Sequence, residues 1–587
     1  MLRISSLCGT LSLVLLATLG PAQTPTWQWG LQTTNPTPTD NSRIQPNALA
    51  TDAAGNVYVG GEYEPGSGAP LRRDFGSAGS VGPAAGGYVA QATPAGQWAW
   101  LTPISSTPLG GGAGYDADVT GLAATPAGEV YVSGYARGGS VVIGGQSQPL
   151  GSGGEGLFVA RLSSTGQCQW LRTVPARSTR PALALDPSTG GVVLAGTYND
   201  ALSFGSTVLP PAGAWNEQNL YVARLSAAGQ WLAAAAATST TDFFPSLEVA
   251  VGPAGQVAVL GSHSAGELAF GPLRLTAPAG ANESWLVAQL GPTNQWDWAL
   301  DDPGHATSAV IGGAYTAGGE LWVSGRGKAG TGLGSTTLAP PAGLGGNSLA
   351  GFLARLSGTG QWQAVHLLQP TTPSTAALLE PRLDATGNVV VLGVVGGRPA
   401  AVQASLGSYT VACPAGELQV FVAQLDLAGR WHAPTLMPRP ARALSFGLMG
   451  GTLDGQANYY LTGSLRGSLT VGGSTLQWSP GGATSYATGG DVVLAKLANV
   501  TTLPARAAAP APALAVLPSP AHGRAVLRLP TPAATARPLA VLDALGRPVR
   551  ALTVPAQATE VPLDLTGLAP GLYLLRAGAA TGRLVVE

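Results

Sequence analysis

The chain has 587 residues, of which 84 are glycine and 47 proline, with 45% apolar and only 10% charged side chains. Turns are therefore frequent and a hydrophobic core is available, which excludes an intrinsically disordered polymer. The 29 basic residues nearly balance the 30 acidic ones, so nucleic-acid binding lacks its electrostatic basis.

Residues 1–22 have the layout of a secretory signal peptide: Arg3 as the positive start, an apolar run from Leu11 to Leu19, and small residues Gly20 and Ala22 around Pro21, with cleavage expected after Ala22. That run is too short to cross a bilayer and no later one is long enough, so no transmembrane segment is expected. Removal of the signal leaves Cys168 and Cys413, which lack metal-ligand spacing and predict neither a disulfide framework nor zinc.

Three landmarks recur in fixed order between residues 23 and 500. A strand ends in glycine at Gly61, Gly134, Gly196, Gly261, Gly325, Gly393 and Gly463. A second strand carries a bulky residue before Val/Leu-Ala, as in Tyr88-Val89-Ala90 and Phe158-Val159-Ala160, and its alternation predicts one buried face. A turn then exits into tryptophan at Trp98, Trp231, Trp296, Trp362 and Trp431, with Cys168 in the equivalent slot of the second copy. Each copy reads as four strands, A to D. The A–B turns carry Gly128, Gly190, Gly255, Gly318, Gly387 and Gly455, where glycine allows a positive φ. The seventh copy ends at Leu497 without strand D, whereas Trp27-Gln28-Trp29 stands alone at the mature N-terminus. Pairing the two closes a seven-bladed β-propeller without an exposed sheet edge. These repeats resemble bacterial surface β-propeller repeats of the form Phe-Val-Ala-Lys/Arg-Leu, turn, Gly-x-x-Trp, a resemblance that implies architecture and no particular activity.

Residues 501–513 form a Pro/Ala-rich linker. Residues 514–587 follow with short alternating strands expected at 525–529, 539–542, 561–565, 572–576 and 583–586, which predict a small β-sandwich. The whole chain is thus expected to be all-β. The segments around Pro518 and Pro520, then Asp543, Gly546 and Arg547, and then Gly567, Leu568, Pro570, Gly571 and Tyr573, resemble the type A C-terminal sorting domain of the type IX secretion system of Gram-negative bacteria. The resemblance implies export through the periplasm, recognition by the outer-membrane translocon and sorting machinery, and release or attachment at the cell surface.

Short turns on one face of the propeller and long B–C and D–A connections on the other place function on the long-loop face. The D–A connections carry Asp116, Asp118, Asp242, Asp301 and Asp302 with Arg177, Arg180 and Arg442, which are the candidate binding residues at the channel mouth. Paired carboxylates there could cleave a glycosidic bond or hold calcium, and the plainer reading makes them solvated turn residues. His263, His305, His366 and His432 fall on different blades without a metal motif. No catalytic residue, metal ligand or organic cofactor is assigned. The expected function is a non-enzymatic, exported module that binds a glycan or a protein. The alternative is a secreted polysaccharide hydrolase or lyase.

Overall fold

Successive side chains of Val57-Tyr58-Val59 and of Tyr88-Val89-Ala90 point to opposite sides of their strands, and every one of them is buried. Such strands need cover on both sides. The computed structural model describes residues 24–36, 43–64, 72–82, 84–108, 116–177, 180–213, 217–240, 247–277, 283–302, 307–338, 348–372, 374–397, 400–439, 446–465, 467–478, 490–500, 513–529, 536–543, 547–577 and 580–587. It is all-β apart from one short 3-10 turn at Gly76–Ala78, and it shows a seven-bladed propeller whose antiparallel blades each stack between two others. In the first blade the strands run, from the channel outward, Arg43–Thr51, Val57–Glu64, Gly86–Ala92 and Trp98–Ser106. Val57, Val59, Tyr88 and Ala90 share a core with Tyr460, Val492 and Leu494 of the seventh blade. Tyr58 and Val89 share another with Val130, Val132 and Phe158 of the second. Equivalent cores lie between the other successive blades. The single buried face expected from alternation is therefore corrected to two, because a blade has a neighbour on each side.

Thr26–Gln32 pairs antiparallel with Asp491–Ala498, from Thr26 opposite Ala498 to Gln32 opposite Val493, and supplies the outer strand that the seventh repeat lacks. Its Trp29 indole N–H donates to the Pro94 carbonyl in the C–D turn of the first blade. Trp100, Trp170 and Trp298 do the same to Ser164, Ala227 and Gly358 of the blade that follows theirs, all at 3.0–3.1 Å. The glycine two residues on in each turn, such as Gly96, has a positive φ and lies against the indole ring. Between the third and fourth blades the direction reverses, with Trp296 donating to the Ala236 carbonyl at 3.1 Å.

Two turn glycines differ from expectation. In the fifth blade the positive φ falls on Gly319 rather than Gly318, and in the seventh on Ala457 rather than Gly455. The sixth blade has an outer strand of only Thr435–Leu436, since Pro434 and Pro438 withhold the amide hydrogens that a longer ladder needs.

The long B–C connections also differ from loops. In each blade part of the connection folds into a hairpin, and those at Ser140–Ile143, Gly266–Phe270 and Val402–Leu406 pair with the outer strand of the preceding blade. Each hairpin turns on an apolar residue followed by glycine, for example Phe204-Gly205 and Leu406-Gly407, with φ of +63° and +58°. The glycine sits against Trp231, the first residue of the outer strand, in the third blade, and against Trp431, shortly before the outer strand, in the sixth. These segments therefore cover the rim of the propeller and do not build the channel mouth.

The chain divides into two compact units, 24–502 and one that contains 503–587. In the second, seven strands follow the order Pro548–Val554, Arg537–Leu542, Gly571–Ala577, Ala580–Val586, Ala513–Leu517, Arg524–Arg528 and Glu560–Asp564. They fold into a small sandwich around Leu527, Leu539, Val554 and Leu584. Ala513–Leu517 and Pro548–Val554 are strands beyond those expected, and Ala513 falls inside the expected linker. Among the described residues no helix is long and apolar enough to cross a membrane.

All 14 tryptophans precede residue 479, so tryptophan fluorescence reports on the propeller alone. Trp29→Ala removes a half-buried ring and an interblade hydrogen bond, and urea unfolding followed by that fluorescence is expected to show a loss of about 3 kcal/mol.

Candidate functional site

The inner strands bound a channel of about 630 Å³ lined by all seven blades. Near its long-loop end the inner strands of the first two blades bulge at Asn47 and Thr120, where the pairing register shifts. A bulge re-aims a side chain. Asn47 Nδ2 donates to Asp118 Oδ1 at 2.7 Å and to the Val119 carbonyl at 3.3 Å. Thr120 Oγ1 donates to the Pro181 carbonyl at 2.7 Å, tying the second blade to the third beside Arg180. Arg180 then reaches back to Asp118 Oδ2 at 3.2 Å. On the first blade, Arg43 pairs with Glu62 at 3.2 Å and bonds Gln45.

Asp118 is only 7% exposed. Burial, and then the nearby Glu62 carboxylate, push its carboxyl up to about 7, although Arg180 and the Asn47 bond favour the charged form. The Arg180 side chain is 59% exposed, so water screens much of its charge. Burial likewise raises Glu62 against the pull of Arg43. The Tyr88 hydroxyl is fully buried without a hydrogen-bond partner, and burial followed by the Glu62 and Asp118 charges raises it well above its ordinary value. A carboxyl that titrates near neutral pH, as at Asp118, is suited to proton transfer, and the exposed guanidinium beside it to binding a polar or anionic group.

The structure therefore brings together Asp118 and Arg180, with Asp116 close enough to add to the rise at Asp118. It separates the others. Arg177 makes an exposed pair with Asp200 at 3.5 Å. Asp302 is fully buried at the end of an outer strand, where its carboxylate accepts from Ser308 Oγ at 2.7 Å and from the Gly332 amide at 2.9 Å, and so it does not reach the mouth. Asp301 ends that same outer strand, opposite Leu286. Asp242 and Arg442 lie outside the described residues, as do Gly546 and the signal peptide. His263 is buried and bonded to the Ser264 carbonyl at 2.8 Å, and His366 packs between Trp322, tilted, and Trp431, edge-on. Cys168 and Cys413 are free thiols. Among the described residues no three His, Cys, Asp or Glu side chains gather as a metal site.

Asn47, Arg43 and Glu62 escaped the sequence reading because all three sit within strands, Asn47 at a bulge, rather than in a connection. Glu62 directly follows the strand-ending Gly61, a position with no charge in five of the other six blades, and that was a visible signal.

In the tail, the Arg547 guanidinium donates to Asp543 Oδ2 at 2.7 Å, and the Tyr573 hydroxyl donates to the Ala569 carbonyl at 2.8 Å. Both close local turns. Pro518 and Pro520 each follow a cis peptide bond, Gly567 has a positive φ, and the Leu568 amide donates to the Leu565 carbonyl at 3.0 Å. Pro570 and Gly571 lead into the Gly571–Ala577 strand.

No family model and no curated protein matches the chain. Among solved structures, a protein of unknown function from Dyadobacter fermentans is similar at 12% identity over 80% of this chain and 98% of that one, with a TM-score of 0.33. The extracellular domain of a putative one-component system from B. thetaiotaomicron is similar at 7% identity over 95% and 98%, with a TM-score of 0.15. A puromycin hydrolase is similar at 14% identity over 75% and 61%, with a TM-score of 0.26. Likeness at this level carries no functional inference.

Asp118 is protonated in the fold up to about pH 7 but in the unfolded chain only to about pH 4, so across that window the native state holds the extra proton and stability falls as pH rises. Asp118→Asn keeps an acceptor for Asn47 and carries no charge. Urea unfolding is expected to show it more stable than the parent by about 2 kcal/mol at pH 8 and nearly equal at pH 4.

Proposed function

We propose that the mature chain is an exported β-propeller that binds a glycan or a protein at the cell surface through the Asp118–Arg180 mouth, without chemical turnover. The observation that carries this reading is the cluster of Asn47, Glu62, Asp118 and Arg180 contributed by three blades at one end of the channel. Strands hold Asn47, Glu62 and Asp118, and Arg180, just before the inner strand Ala182–Leu185, stands out far enough to meet a ligand. The leader at 1–22 and the likeness of 514–587 to a type IX sorting domain support export across both membranes, with the translocon and sorting machinery as partners. The small sandwich at 513–587 is compatible with a tail handled separately from the propeller.

One observation favours a second reading. A carboxyl held near 7 at Asp118 beside Glu62 is a general acid in waiting, as polysaccharide cleavage requires.

Thermal unfolding of the mature full chain against a glycan panel, with and without calcium, tests both. A ligand at about 100 times its dissociation constant adds about 2.7 kcal/mol, and Arg180→Ala with Asp118→Asn is expected to abolish that gain. A glycan that stabilises the protein and yields no new reducing ends supports binding, whereas reducing ends lost in Asp118→Asn support the hydrolase. No stabilisation by any glycan leaves the protein-partner form, which pull-down with intact cells then tests. Deleting 514–587 is expected to retain the propeller in the periplasm, and unchanged appearance in the medium or on the surface would contradict the sorting role.

A further inference from the structure

A second set of polar groups gathers on other blades: Glu248 of the fourth and Glu380 and Arg382 of the sixth line the channel, and Tyr459 of the seventh lies buried behind channel-lining Gly451. Counting back from the turn that ends each inner strand, the fourth residue is alanine or glycine in five blades and glutamate in two, Glu248 and Glu380. Two residues nearer the turn, Arg382 stands where the other blades have alanine or threonine.

Glu380 has a φ of +47°, a left-handed conformation unfavourable for a residue that carries a side chain. It is held there by a bulge at Glu380-Pro381, and Gly312 on the fifth blade leaves the space, since a Cβ would fall 2.8 Å from Pro381 Cδ. The Arg382 guanidinium pairs with Glu380. Glu248 makes no hydrogen bond among the described residues, and burial, then repulsion from Glu380, raise its carboxyl.

Tyr459 is the independent sign. It begins the second strand of the seventh blade, where the other six carry valine or leucine. Its side chain is fully buried and its hydroxyl has no partner. The hydroxyl lies over channel-lining Gly451, where any Cβ would collide with it, and it feels the charges of Arg382 and Glu380. A buried phenol without a bond is costly unless something arrives to bond it.

We propose that Glu248, Glu380 and the Tyr459 hydroxyl bind a protonated amino group carried on a small molecule that enters the channel. Arg382 pairs with Glu380 and leaves Glu248 without a cation of its own, so an arriving ammonium group supplies the charge partner that burial and Glu380 otherwise deny the Glu248 carboxylate. An ammonium group has three donors, matching the two carboxylates and the phenol oxygen. The cavity of about 630 Å³ lies within the range of small-molecule sites. Arg382 beside the site disfavours a divalent metal ion, which would need several more oxygens.

Calorimetric titration of the mature full chain with spermidine and with glucosamine tests this site, with N-acetylglucosamine and calcium chloride as controls. At least one amine is expected to bind. Spermidine alone would assign a linear polyamine and glucosamine alone an amino sugar, while N-acetylglucosamine, which lacks the charge, is expected to give no heat. Glu248→Gln is expected to weaken binding about tenfold or more. Gly450→Leu projects into open channel space, where a Cβ meets nothing within 4 Å, and is expected to abolish it. Both variants should keep the parent's cooperative melting. No heat with either amine overturns the proposal, as does unchanged affinity in whichever variant melts like the parent, or calcium binding that Glu248→Gln removes while neither amine binds. The mouth cluster belongs to other blades, so failure here leaves that reading standing.

Discussion

Every blade has two apolar faces, and that constraint forces the ring to close. Tyr58 and Val89 need the second blade, and Val57, Val59, Tyr88 and Ala90 need the seventh. Burial of such faces contributes roughly 25 cal/mol per Å² of apolar surface, far more in sum than the individual hydrogen bonds. An open array would leave two such faces and a strand edge in water. Thr26–Gln32 removes the edge by completing the last blade with the first residues of the propeller. The indole bonds from Trp29, Trp100, Trp170 and Trp298 add direction to this stacking, because each donor meets one turn carbonyl only when successive blades are in register.

Glycine governs where function is possible. The rim hairpins turn on glycines such as Gly205 and Gly407, whose positive φ lets the backbone lie on Trp231 and Trp431. Long connections thereby become cover for the outside of the ring. The inner strands, with small residues over much of their length, keep a channel open and leave two places for polar groups. One is the mouth around Asp118, shaped by strand bulges. The other is the wall around Glu248, Glu380 and Arg382, in the gap left by Gly312 and Gly451.

Strand-ending glycines, the Val/Leu-Ala strands and the isolated Trp27-Gln28-Trp29 made the number of blades and the closing strand legible, because these positions repeat for a packing reason. The apolar-glycine step of the rim hairpins repeats just as regularly but passed as loop, since two-residue strands such as Gly332–Leu333 are too short to show alternation. Asp118 and Arg180 were legible as charged residues expected in connections, although Asp118 lies within the inner strand Asp116–Ala124. Asp302 was not, since a buried carboxylate that accepts from Ser308 and Gly332 looks in sequence like an exposed one. Glu62, Glu248 and Glu380 sit within strands, and only alignment of the seven inner and second strands shows that they stand where other blades are mostly uncharged.

Hydrogen–deuterium exchange tests the closed ring most directly, comparing the mature chain with one that lacks residues 24–32. If Thr26–Gln32 is the fourth strand of the last blade, its loss exposes the amides of Val493 to Ala498, and faster exchange spreads to both the seventh and first blades because they share one core. Unchanged protection at Val493 to Ala498 would contradict the closure on which the rest depends.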